Sequence, residues 1–374
     1  MGHKQGSLES VVMDRLHWQG RRVLVTGHTG FKGAWLCLWL HQLGAKVCGL
    51  ALDPPTQPSL YESAAIKELM AVDLRLDIRD AEAVRVAIAQ VAPEVIFHLA
   101  AQPLVNRSYD SPIETYATNV MGTVHVLEAA RQAGSVRAIV VITTDKCYEN
   151  QEWVYPYREN DRLGGFDPYS NSKACTELVV SAYRSSFFEA QGIAVATARA
   201  GNVIGGGDWA VGRLIPDCVR AFQTGAPLKL RYPQAVRPWQ HVLEPLSGYL
   251  RLAEALLGDR AMKFCEAWNF GPDETGMVTV GEVAKFAAEI WGGEVEIAKA
   301  NPDYHEAGLL QLDSSKARSR LQWKPQWLLE KAIESTILWY RAYRNGQNVQ
   351  QMTQAQISEF AGVVLQLHGN GHDF

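Results

Sequence analysis

The stretch from Arg21 to Leu43 constrains the fold more than any other. Arg21-Arg-Val-Leu-Val-Thr26 is a short β-branched run that stops at glycine, as a buried strand does. Gly27-His-Thr-Gly30-Phe-Lys-Gly33 follows, and Ala34 to Leu43 is apolar and of helix length. Strand, glycine turn and helix in that order form a cradle for phosphate. The glycines permit a tight turn and close approach of backbone to a pyrophosphate, and the helix N-terminus presents unpaired N–H groups. Gly27, Thr29, Gly30, Phe31, Lys32 and Gly33 are therefore candidate contacts for a dinucleotide, with a purely structural turn as the alternative.

The rest of the chain extends this unit. Lys46 to Leu50, Glu94 to Ala100, Arg137 to Thr143 and Ala194 to Ala200 read as further strands. Helix-length segments lie between them at Ala81 to Val91, Ile113 to Gln132 and Ser170 to Glu189. Alternation of this kind predicts an α/β protein with a Rossmann-type, doubly wound parallel sheet. Its ligands would bind outside the carboxyl ends of the strands. After about Gly201, glycine, proline and tryptophan become frequent, and shorter helices are expected near Leu214 to Thr224, Glu244 to Leu257, Val280 to Trp291 and Leu328 to Tyr343. The expected organisation is a disordered leader over 1–18 and a dinucleotide-binding domain over 19–200. A smaller α/β C-terminal substrate lobe covers 201–345, its chain partly interleaved with the first domain, and a Gln/Asn-rich tail with little pattern covers 346–374.

Composition narrows the function. With 374 residues, 47% of them hydrophobic and 20% charged, the chain has material for a sizeable core, which excludes disordered and fibrous classes. A net charge of −4 with no basic face argues against nucleic acid. The densest apolar stretch, Ala34 to Leu43, is broken by His41 and falls far short of the roughly 20 residues of a membrane span. No signal-peptide core stands at the start. The six cysteines form no CxxC pair and read as free thiols of a reduced cytoplasm. There is no HExxH, G-x-S-x-G or P-loop, so no metal is expected. His368 and His372 stand among glycines near the end and read as part of the tail.

Three groups of residues carry chemistry. Asp53 follows the second strand, somewhat beyond the spacing of about 20 residues at which a ribose-binding acid stands. It either binds the adenosine ribose or simply opens the Asp53-Pro-Pro55 loop. No arginine directly follows that strand, which favours NAD over NADP, and Asp77 is placed to meet the adenine edge. Tyr169 and Lys173 stand one helical turn apart on one face. An ammonium near a phenol stabilises the phenolate and makes it a usable base, while the plain alternative is a solvated surface pair. Thr143-Thr144-Asp145-Lys146 ends a central strand and offers a hydroxyl, an acid and a potential base, or an ordinary ion pair.

Taken together, Thr26-Gly-x-x-Gly-Phe-Lys-Gly33, His98-Leu-Ala-Ala-Gln102, Thr118-Asn119 and Tyr169-x-x-x-Lys173 resemble the extended short-chain dehydrogenase/reductase family over roughly residues 20 to 345. Thr144-Asp145-Lys146-Cys-Tyr148, Asp167-Pro-Tyr-Ser-Asn-Ser-Lys173, Gly201-Asn-Val-Ile-Gly-Gly-Gly-Asp-Trp209 and Arg237-Pro-Trp-Gln-His241 are similar to its nucleotide-sugar 4,6-dehydratases that take CDP-glucose. The resemblance implies bound NAD, contacted also by Ile78, Leu99, Ala100, Ala101 and Asn119. It implies Tyr169 as base at the C4 hydroxyl, Thr144 as its holder, Lys173 on the nicotinamide ribose, Asp145 as acid and Lys146 as base. Gln102, Asn202, Arg213 and Arg237 would bind substrate; an arginine fork suits a diphosphate, though an arginine before proline is also a structural device. A homodimer or dimer of dimers through helices 113–132 and 169–189, and a role in making deoxyhexoses of bacterial surface polysaccharide, are implied as well.

Two departures stand out. Related NAD-dependent members end strand two on a carboxylate, where this chain has Ala51, and dTDP-glucose dehydratases have Glu where this chain has Lys146. A lysine base acts as the neutral amine. The competing readings are a nucleotide-sugar 4-epimerase, a dehydratase of another nucleotide sugar, and a non-catalytic NAD-binding regulator.

Overall fold

The computed structural model describes residues 15–273, 276–298 and 308–362. Twelve strands occur among them: β1 (Arg22–Thr26), β2 (Lys46–Ala51), β3 (Val72–Arg75), β4 (Val95–His98), β5 (Ala138–Ile142), β6 (Ala194–Ala200), β7 (Asn202–Ile204), β8 (Leu228–Leu230), β9 (Val236–His241), β10 (Ala267–Phe270), β11 (Met277–Thr279) and β12 (Val295–Ile297). The helices are α1 (Arg15–Trp18), α2 (Phe31–Gln42), α3 (Leu60–Ser63), α4 (Ala81–Val91), α5 (Val105–Asp110), α6 (Pro112–Tyr116), α7 (Gly122–Gln132), α8 (Pro168–Tyr183), α9 (Glu189–Gln191), α10 (Leu214–Gln223), α11 (Leu243–Leu257), α12 (Val280–Trp291), α13 (Ser315–Arg320), α14 (Leu329–Arg344) and α15 (Val349–Phe360).

Seven strands form one parallel sheet in the order β10-β6-β5-β4-β1-β2-β3. Strand residues alternate between its two faces. Val23, Val25, Phe97, Val140 and Ala196 join one core with α2, α11 and α14, while Leu24, Ile96, Ile139, Val141 and Val195 join another with α4 and α7. Burial on both faces explains why these strands read as unbroken apolar runs. The sheet is the expected doubly wound one. The order reverses between β1 and β4, and the crevice at such a switch point is where ligands bind.

The bounds of β6, α4 and α12 agree with the sequence reading. β3 and β10 escaped it. Each has four residues, β3 lies at the sheet edge with half-exposed side chains, and Ala-Trp-Asn-Phe in β10 carries no β-branched residue. The helix expected over 113–132 is continuous, but it contains a π turn at Ala117–Met121 between α6 and α7. A second π turn, Arg184–Phe188, extends α8 into α9.

Two end segments depart from expectation. The expected leader contains α1, whose Trp18 is fully buried and donates its indole N–H to Glu254 at 2.7 Å. Residues 1–14 lie outside the described ones. The expected tail contains α15, where Phe360 packs edge-on against Trp39 and Trp327 and Thr353 accepts from the Trp339 indole at 2.9 Å. Its apolar contacts are few and widely spaced among glutamines, so no amphipathic pattern shows in the sequence. His368 and His372 fall outside the described residues. Most tryptophans belong to the core; Trp18, Trp35, Trp39, Trp268, Trp323 and Trp339 are fully buried. All six cysteines are unpaired.

Candidate active site

The glycine turn is built for a close ligand. Gly27 has φ +74°, and a Cβ there would stand 2.7 Å from the Ala100 nitrogen, so only glycine lets the β1 and β4 loops touch. A Cβ at Gly33 would meet the Gly27 carbonyl oxygen at 2.2 Å. Gly30 caps the twelve-residue α2 with no side chain of its own to satisfy the first-turn N–H groups. These features fit the pyrophosphate of a dinucleotide. Leu99 and Ala100 close the cradle from the β4 side, their N–H groups donating to the Thr26 carbonyl at 3.2 Å and to the Thr26 hydroxyl at 3.2 Å respectively.

The adenosine end differs from the sequence argument. β2 ends at Ala51, which pairs with Arg75 of β3, and Arg75 forms an ion pair with Asp53 at 3.1 Å. The absence of arginine after β2 thus carries no weight, because β3 supplies one. Arg75 also binds Asp73 at 2.6 Å and lies over the Tyr61 ring at 4.8 Å, and Asp73 pairs with the His28 ring at 2.8 Å. Asp77 is clasped by Arg79 at 2.6 Å, which holds its carboxyl below the usual range. Ile78 is buried, and Gly122 leaves room for it against the π turn, since a Cβ there would come within 2.5 Å of the Ile78 side chain.

The catalytic candidates converge at the ends of β5 and α8. Asp167 caps α8, accepting from the Ser170 N–H at 2.9 Å, and Pro168 occupies the first turn, where its missing N–H costs nothing. That start places Tyr169 and Lys173 on the inner face, both buried. Burial pushes the Tyr169 phenol up to about 12, and its hydrogen bond with Thr144 opposes that rise. Burial lowers Lys173 to about 8, with its ammonium donating to the Ile142 carbonyl at 3.1 Å. Thr144 donates to Asp145 Oδ1 at 2.9 Å. Asp145 is buried, which raises its carboxyl above the usual range against the pull of Lys146, Thr144 and Arg237. Lys146 is half-buried beside it.

Asn119 braces α8 through the π turn. Its side chain accepts from the Gln102 N–H at 2.8 Å and donates to the Ser172 hydroxyl at 2.9 Å. Among the expected substrate residues, Asn202 and Arg237 lie on neighbouring strands β7 and β9, and the Arg237 charge reaches Asp145. Arg213 bonds Asp208 at 2.9 Å, and its charge reaches Tyr169. Gln102 is turned inward, its side chain engaged by Leu104 and Thr115. Sequence reasoning missed Tyr249, whose hydroxyl accepts from Lys32 at 3.2 Å; burial lowers that lysine to about 7. It also missed Asp208, although Gly-Gly-Gly-Asp-Trp209 advertises a constrained loop. Among the described residues no His/Cys/Asp/Glu cluster could hold a metal.

A profile of the GDP-mannose 4,6 dehydratase family matches residues 24–336. A CDP-glucose 4,6-dehydratase of Salmonella typhimurium is 50% identical over 355 residues, covering 93% of this chain and 98% of the relative. The solved dTDP-glucose 4,6-dehydratase of Streptomyces venezuelae, with NAD bound, is 26% identical at a TM-score of 0.73, covering 88% of this chain and 99% of that one. The UDP-glucose 4-epimerase of Thermus thermophilus in complex with NAD gives the same identity, 26%, and TM-score, 0.73, over 86% of this chain and 99% of that one. The chain belongs to the GDP-mannose 4,6 dehydratase family, within the NAD-dependent extended short-chain dehydrogenases/reductases.

Proposed function

We propose that this protein is a CDP-glucose 4,6-dehydratase, a hydro-lyase that converts CDP-D-glucose to CDP-4-dehydro-6-deoxy-D-glucose and water. The observation that carries the reading is the joint placement of Thr144, Asp145, Lys146 and Tyr169, after the end of β5 and at the start of α8, in a chain 50% identical to such an enzyme. NAD, when bound, would supply a hydride acceptor for C4 and a hydride donor for C6. Gly27, Gly30 and Gly33 would receive its pyrophosphate, Asp53 its adenosine ribose, Asp77 and Ile78 its adenine, and Lys173 its nicotinamide ribose.

The chain's own groups move the protons. Thr144 orients the C4 hydroxyl, and Tyr169 takes its proton through the phenolate form, which burial opposes and which the Thr144 bond and the Arg213 charge, rather than Lys173, favour. The C4 ketone acidifies the C5 proton, for which Lys146 is the base. Asp145 is suited to protonate the departing C6 hydroxyl, because burial keeps it protonated to higher pH than an exposed carboxyl. A proton returned to C5 completes the balance: one water leaves, and the cofactor ends in its starting redox state. Asn202, Arg213 and Arg237 would hold the nucleotide diphosphate, whose charges suit guanidinium forks.

We further infer a homodimer, supported by Ile113, Met121 and Leu178, which are exposed along the α6–α8 helices. Cytoplasmic residence and a place in making deoxyhexoses of bacterial surface polysaccharide belong to the same reading; no helix among the described residues is long and apolar enough to cross a membrane. The test is incubation with NAD⁺ and, separately, CDP-, dTDP-, GDP- and UDP-glucose, read by mass spectrometry. Loss of one water from CDP-glucose alone is expected. CDP-glucose recovered unchanged in mass refutes the reading, and an equal-mass isomer of another sugar identifies an epimerase.

A further inference from the structure

Behind the catalytic turn lies a buried ion pair that no step of the proposed reaction uses. Glu177 stands one helical turn beyond Lys173 on the same face of α8. Arg199 of β6 grips its carboxylate twice, Nε to Oε1 and Nη2 to Oε2, each at 2.9 Å. The Thr197 hydroxyl donates to Oε2 at 2.6 Å, and the Thr143 hydroxyl donates to Oε1. Arg199 Nη1 donates to the Tyr148 hydroxyl at 2.8 Å, which donates onward to Asn269 Oδ1 at 2.8 Å. All six side chains are buried. Thr143 and Tyr148 bracket the turn that carries Thr144, Asp145 and Lys146. One carboxylate on the helix of Tyr169 and Lys173 therefore grips both ends of the opposing turn, directly at Thr143 and through Arg199 at Tyr148. A buried ion pair is costly to desolvate, and apolar residues of similar volume often hold a fold as well. Stability alone is thus a poor reason for it.

We propose that Glu177, acting through Arg199 and Thr143, is a positioning residue that fixes Thr144 and Asp145 relative to Tyr169 and Lys173 for the redox and elimination steps. The inference rests on the dehydratase reading. The carboxylate has a second effect. The charged and titratable groups facing Lys173 are Glu177 on its own helix, Cys147 on the turn, Lys32 on α2 and His98 on β4. Of these, Glu177 most strongly supports the ammonium against burial.

Four variants test this: Thr143→Val, Thr143→Ser, Glu177→Gln and the double variant Glu177→Gln/Arg199→Gln. Water loss from CDP-glucose gives kcat, KM and the pH profile, and melting gives stability. Thr143→Val cuts the link without stranding a charge. Its kcat should fall about tenfold or more with KM within about threefold, and Thr143→Ser should restore it. Glu177→Gln and the double variant should lose about 10–100-fold in kcat, and Glu177→Gln should also shift the alkaline limb to lower pH. A folded Thr143→Val with wild-type kcat, or a folded Glu177→Gln with an unmoved alkaline limb, overturns the proposal. If Glu177→Gln does not fold, the Thr143 pair decides alone. If the wild type releases no water from CDP-glucose, the dehydratase reading fails on its own, and the same comparison on whichever nucleotide sugar is turned over still decides the positioning role.

Discussion

The Thr144 hydroxyl donates to one oxygen of Asp145, and the other, Oδ2, is buried without a hydrogen-bond partner among the described residues. A buried oxygen left over in this way is the natural seat for a proton, since a neutral carboxyl is cheaper to bury than a charged one. Asp145→Asn keeps the shape and the Thr144 bond but removes the transferable proton. Water release should fall by about 10²–10⁴-fold while binding of NAD⁺ is unchanged, as kinetics and calorimetry would check.

Tyr169→Phe should abolish the first proton transfer, with a loss of about 10²–10⁴-fold in kcat. The pH profile bears on the same pair. Lys173 is lowered to about 8, so its ammonium discharges as pH rises through that value. The rate should therefore fall on the alkaline side near pH 8, and Lys173→Met should be slow with that limb absent.

Glu244 gives a stability prediction remote from the chemistry. Its carboxylate is almost fully buried and accepts from the Gln326 and Trp327 N–H groups, the latter at 2.7 Å, while burial pushes it up to about 8 from 4.5. Between those values the folded state keeps a proton that the unfolded state has lost. Stability should fall as pH rises from 4.5 to about 8, and the cost is complete above that range. Glu244→Gln removes this dependence, so its melting temperature should gain on the wild type as pH rises.

Trp18→Ala removes a fully buried indole and its bond to Glu254. A loss of about 3–5 kcal/mol in denaturant unfolding is expected. Kinetics of the surviving folded fraction should be near normal, since the Trp18 partners Phe97 and Glu254 are not candidate site residues.

Arg75 supports a cofactor prediction. It is paired with Asp53 at 3.1 Å, so if Asp53 takes the adenosine ribose as proposed, the Arg75 guanidinium would stand beside a 2′-phosphate. Arg75→Ala should widen the preference for NAD⁺ over NADP⁺, measured as the ratio of the two dissociation constants.

What was legible in the sequence is what local chemistry writes there. The Gly27–Gly33 turn and the strands β1 and β5 on either side of β4 each depend on residues a few positions apart, whereas the helix of Tyr169 starts two residues before the expected Ser170 because Asp167 caps it. What was hidden depends on partners far along the chain. Arg75 reaches Asp53 only because β3 pairs beside β2, Glu177 meets Arg199 only across α8 and β6, and Trp18 needs α11 to bury it. α15 was hidden for a different reason, being held by a few spaced contacts rather than by an apolar stripe.

β10 completes the large sheet against β6, although residues 267–270 follow the segments of β7, β8 and β9. A fragment ending near Gly201 would leave β6 with an open edge of unpaired N–H and C=O groups, ready to pair with another copy. The two halves of this chain are thus not separable modules. Limited proteolysis in the intervening loops should leave nicked halves that stay together under native conditions, and either half expressed alone should aggregate.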